Sequence, residues 1–199
     1  MLPLVAYLFF ASGVNNFAKL PVLKENVLSI SDYSKVDFNQ KISILFFLGS
    51  NIQDRQGDAL NMNQKIYKRF YDFEDFQFVV ICPLESEQLA DELKNKLEMG
   101  TNTDMKKWNF VFLDSNIIED IFNSLNTNTN LDQYSGSPYV YIVDKNRSLR
   151  GRNDDDGIKF GYDSRSVADI NNFMVDDVKV ILAEYRLALK KNGITRKDL

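Results

Sequence analysis

The chain of 199 residues contains no histidine and a single cysteine, Cys82. Without imidazole it lacks the side chain that most often serves as general base or metal ligand near neutral pH. One thiol can neither close an internal disulfide nor share a soft metal with a second sulfur, and it does not identify the redox compartment. No G-x-S-x-G or S-x-x-K arrangement is present, and Gly49 and Gly57 lack the Lys-Ser/Thr of a phosphate-binding loop. A basic surplus is missing too. The net charge is -4 and the pI about 5.0, with no basic stripe to release counterions, so no nucleic-acid partner is expected. The one dense basic stretch, Lys190, Lys191, Arg196 and Lys197, suits the end of a helix.

What is present is a body fit to fold. Hydrophobic residues make up 44%, with 15 Phe and 9 Tyr, which implies one domain with an aromatic-rich interior. The segment Met1 to Ala11, MLPLVAYLFFA, is uncharged and apolar. It has the length of a signal-peptide core and is too short to span a bilayer, which takes ~20 residues. No Lys or Arg precedes it. It is expected to be an anchor or export segment, with a buried terminal segment as the alternative. The expected organisation is an anchor over 1–19, a folded domain over 20–192 and a polar tail over 193–199.

Strands and helices alternate along the body. Lys41 to Leu48 and Phe76 to Cys82 are continuous apolar runs that read as buried strands, the second stopped by Pro83. Trp108 to Leu113 is a third, and Pro138 to Asp144 a fourth that turns through Lys145-Asn146-Arg147 into Ser148 to Gly151, with Ile158 to Tyr162 continuing it. Helical spacing marks Asp58 to Tyr71, then a helix capped by Ser86 and closed by Gly100, then one capped by Asp114 or Ser115. A long last helix runs from about Ser164 to Lys191, capped by Asp163 or Ser164. Asn126 to Gly136 is the credible long loop. Within the last helix Asp176 and Asp177 read as an outer charged face, and Glu184 has no i+4 partner. The order predicts an α/β fold with parallel strands followed by an antiparallel pair.

The runs ISILFFLGS after Leu20-Pro21-Val22-Leu23, VVICP, Trp108 with FVFLD, and SPYVYIVDKNRSLRG are together similar to the SCO/SenC family, thioredoxin-fold proteins, typically membrane-tethered, of cytochrome oxidase copper-site assembly. The resemblance covers about residues 20 to 190 through short, degenerate segments. It implies a thioredoxin-like α/β fold, a central mixed sheet flanked by helices, and a cis proline before the hairpin strand. It also implies a CxxxC pair just after the first strand and a copper-ligand histidine shortly before the hairpin strand. Both are missing. The first position corresponds to Gly49 to Gly57, with Ser50, Asn51, Gln53, Asp54 and Gln56, and the second to Gly136, Ser137 and Pro138.

Three readings follow. The favoured one is a non-catalytic, SCO-like envelope protein, anchored and facing outside the cytoplasm or secreted. It would bind a protein partner or assist assembly of a respiratory complex, with no cofactor and no metal. Its partner would be met by those two loops, with Tyr134, Tyr139 and Trp108 as aromatic anchors or, equally, as local packing. The second is a one-cysteine thiol reductant or peroxidase using Cys82, set against a buried small hydrophobe after FVVI. The third is a hard-cation module at Asp154, Asp155 and Asp156, set against a solvated hairpin turn.

Overall fold

The structure, a computed structural model, describes residues 19–191, with side chains through 187. The apolar start, the domain boundary drawn before residue 20 and the polar tail fall at or outside those limits. Among the described residues, no helix is long and apolar enough to cross a membrane.

The first strand, β1 (Val22–Lys24), is short and lies at one sheet edge. Next comes β2 (Ile42–Phe47), every residue of which is buried, because both faces of the sheet are covered. Helix α1 runs over 56–70 as Gln56–Met62, a π turn Asn63–Tyr67 and Lys68–Phe70. Strand β3 (Phe76–Pro83) pairs parallel with β2. Pro83 is its last residue and sits opposite Leu113, so proline ends the strand from inside rather than from the next position.

Helix α2 (Glu87–Thr101) starts at Ser86, as spacing predicts, but the Ser86 hydroxyl has no hydrogen-bond partner. The helix passes through Gly100 and closes on Asn102 in the left-handed region, φ 48°, donating back to Glu98. Asparagine tolerates that conformation, so glycine was the wrong stop signal. Strand β4 (Trp108–Leu113) pairs parallel with β3, and α3 (Ser115–Ser124) follows Asp114.

After the long loop, β5 (Tyr139–Val143) runs antiparallel to β2. The return from it is broken into pieces. Strand β6 (Leu149–Arg150) pairs with the end of β5, β7 (Arg152–Asp154) and β8 (Gly157–Lys159) form a separate hairpin, and β9 (Tyr162–Asp163) pairs with the start of β5. The single continuation expected over 158–162 is thus two short strands. Helix α4 covers 167–191 with a π turn at Ile170–Met174. Its cap is Ser166, which accepts from the Asp169 N–H, two positions beyond the capping residues expected.

The sheet order β1-β6-β5-β2-β3-β4 separates two cores. Ile42, Ile44, Phe46 and Leu48 face one with α1, α2 and α4, while Leu45 and Phe47 face the other with α3 and the segment carrying Val27, Ile30 and Phe38. Two charged readings change. Asp177 does not face outward. It is buried, accepting from the Tyr162 hydroxyl (2.7 Å) and from Arg152 at 2.7 and 2.8 Å. Asp176 does, paired with Lys179. Glu184 finds its partner across the fold in Arg150.

Candidate functional site

Parallel pairing puts the ends of β2 and β3 at one rim, and the antiparallel β5 begins there. The chain leaves β2 through Gly49, whose φ of 75° suits a residue without Cβ. A Cβ there would lie 2.6 Å from the Tyr134 carbonyl oxygen and 2.8 Å from Gly136 N, so the two loops touch backbone to backbone. Ser50 N–H donates to Tyr134 O (2.9 Å) and Ser137 N–H to Phe47 O (2.8 Å). The residues from the two family-matched positions are therefore adjacent in space.

Arg55 fastens them. It reaches across Gly136 to Asp132 at 2.7 Å and touches Asp58 at 3.5 Å. Asp132 in turn accepts from the N–H groups of Tyr134 and Gly136, each at 2.9 Å. Partial burial works to raise the Asp132 pKa, but the hydrogen bonds from Gly136 and Arg55 outweigh it and hold the carboxyl below its ordinary value. Burial raises the Asp58 pKa despite Arg55 and Arg165 nearby. Neither Arg55 nor Asp132 was singled out in the sequence. The lone cation within 49–57 was a signal, but its partner lies 77 residues away.

The remaining loop residues are dispersed. Asn51 donates to Asp54 at 2.6 Å, Gln53 and Asp54 are exposed, and Gln56 accepts a long bond from Lys96. Ile52 is buried in the first core and pins the loop. Ser137 is buried and its hydroxyl accepts from Tyr139 N–H. Pro138 follows a trans peptide, as no described peptide bond is cis, and its carbonyl accepts from Ser164 N–H and Oγ–H.

Of the three aromatic candidates, Tyr134 is exposed and Tyr139 half-buried beside the loops. Trp108 is a correction. It is 1% exposed at the opposite end of the sheet, its ring stacked on Phe78 at 4.4 Å, so it belongs to the core and cannot meet a partner. Cys82 sits nearer the rim than its neighbour Pro83 suggested, since the β2–β3 register continues to bring it level with Leu48. Its side chain is fully buried in the first core, and burial pushes its pKa far up, so almost no thiolate forms near neutral pH. Asp154, Asp155 and Asp156 are exposed on the β7–β8 turn, where Asp154 accepts from the Asp156 N–H.

Copper of the kind the resemblance implies does not fit the rim. Its side chains offer hydroxyl, amide, carboxylate and guanidinium groups, with neither sulfur nor imidazole to favour a soft ion. Among the described residues, no group of three or more His, Cys, Asp or Glu side chains could hold a metal.

The architecture itself has solved counterparts. A SCO1/SenC family lipoprotein from Bacillus anthracis superposes with a TM-score of 0.53 at 14% identity, over 83% of this chain and 99% of that one. The chain has a thioredoxin-like fold. BsSco, a member of the Sco family of cytochrome c oxidase assembly proteins, is similar to this thioredoxin-like chain with a TM-score of 0.50 at 14% identity, over 80% and 97% of the two chains. A proposed protein disulfide isomerase from Bacteroides thetaiotaomicron gives 0.53 at 13% identity over 83% and 95%. No family model matches the sequence, and no curated protein does.

Proposed function

We propose that this chain is an SCO-like envelope protein whose former redox rim binds a protein partner, in the manner of an assembly component and without thiol or copper chemistry. The observation that carries the reading is the rim itself. Two loops in backbone contact, fastened by Arg55 and Asp132, present Tyr134 to solvent where a thiol pair would be needed for exchange. The N-terminal apolar segment and the description of one structural relative as a lipoprotein support an anchored location. The Sco description of BsSco supports a role in assembling a respiratory complex. The exposed edge of Tyr134 and the half-buried Tyr139 suit a partner that brings an apolar side chain and backbone hydrogen-bonding groups.

Two measurements test it together. Calorimetric titration with cuprous and cupric ions is expected to give no tight stoichiometric binding. A photo-crosslinking residue at position 134, expressed in the native host, is expected to capture a discrete protein. The same residue at Met99, exposed at the far end of α2, should not capture it. Tight copper binding, or equal capture from both positions, would defeat the proposal.

A further inference from the structure

Strand β4 ends the sheet, and among the described residues no strand pairs with its outer side. The Phe78 N–H donates to the Lys107 carbonyl at 2.8 Å, which fixes which β4 residues turn their backbone toward β3. By alternation Asn109, Val111 and Leu113 face inward, and the N–H and C=O groups of Phe110 and Phe112 point away from the sheet. Six residues, Trp108 to Leu113, run along this edge without a charge or a proline. Edges of soluble sheets usually carry such a guard against pairing. The rings of Phe110 and Phe112 lie half-exposed and parallel, 6.5 Å apart with planes at 10°.

The ends of the strand are oppositely charged. Lys106 and Lys107 precede it, and Asp114 follows it. Lys106 is held only by Asp104 in an exposed pair and is free to turn. Such a segment is complementary to itself when reversed, because an antiparallel copy lays the acidic end of one against the basic end of the other.

We infer that two copies of this chain pair edge to edge through β4, antiparallel about a two-fold axis at Phe110, continuing one sheet across the dimer. In this register Phe110 meets Phe110 of the other copy, Phe112 meets Trp108, and Asp114 meets Lys106. The outward N–H and C=O groups of Phe110 are exchanged between copies, and the four half-exposed phenyl rings form one cross-strand row. A two-fold axis makes the same patch serve both sides and closes the assembly at two.

Sedimentation velocity of the full chain in a mild detergent, from low to high micromolar concentration, tests this. A concentration-dependent dimer is expected. Phe110→Lys sets like charges face to face on the axis and should weaken the dimer by about tenfold or more. Lys106→Asp and Asp114→Lys alone should each weaken it, while the two together restore it. A circular-dichroism melt shows that each variant is folded. A wild-type chain that stays monomeric, a dimer indifferent to Phe110→Lys, or a double swap that fails to recover association would each overturn the inference.

Discussion

The two ends of the central sheet hold charge in different ways. At the rim where β2 gives way to Gly49, Arg55 and Asp132 meet near the surface, with side chains 14% and 38% exposed. At the other end Arg150 is 4% exposed in its side chain and saturated by Asp144 (2.8 Å), Glu184 (2.6 Å) and the Leu20 carbonyl. Surface pairs contribute little because water competes for both ions, whereas a buried guanidinium that loses its counter-charge leaves an ion in a poor solvent. The far end is therefore built for stability, and the rim is held mainly by backbone fit, with a charge pair that can be opened at low cost. An interaction surface suits the second kind of construction.

Substitutions can break this contrast, the largest effect first. Arg150→Met should destabilise by about 3–5 kcal/mol in chemical denaturation, since Asp144 remains buried without its partner. A loss below 1 kcal/mol, the scale of a surface pair, would erase the difference between the ends. Gly49→Ala adds a Cβ to a left-handed residue and against backbone that cannot turn aside, for a cost of about 2–4 kcal/mol. The same assay reads it, and a neutral result would show that the two loops do not touch as described.

Cys82→Ser places a hydroxyl in the apolar core beneath the rim and should cost about 1–3 kcal/mol. In the wild type, a maleimide should label this thiol only on unfolding, and fast labelling of the native chain would return the enzyme reading to contention.

Asp132→Asn is the mildest, with an effect set by pH rather than by size. The folded Asp132 pKa is lowered, so its stabilisation is present above the unfolded value near 3.8 and is lost as pH falls through the folded value. The stability gap between wild type and Asp132→Asn should be seen at pH 7 and close below about pH 4. A gap unchanged in acid would assign the effect to the turn hydrogen bonds alone.

How much of this was legible depends on how local each cause is. Ile42–Phe47, Phe76–Pro83 and Trp108–Leu113 could be read because their apolar runs state their burial directly. The pieces β6 to β9 could not, as strands of two or three residues exist only through the partner they find. Spacing also placed Asp177 on an outer face, and the β7–β8 hairpin then covered it and brought Arg152 to its carboxylate. The meeting of the Gly49 loop with Gly136 followed from the family resemblance, whereas the Arg55–Asp132 fastening had no sequence pattern to announce it.

By itself the amino-acid sequence determined the alternation of strands and helices, the aromatic interior and the want of sulfur and imidazole, because composition and period act within a few residues. Only the tertiary structure decided that Trp108 is core, that Cys82 is sealed beneath the rim, and which distant charges pair. Those outcomes depend on parallel register and on loops closed over many residues, and the energy of such contacts is defined only once the chain has folded around them.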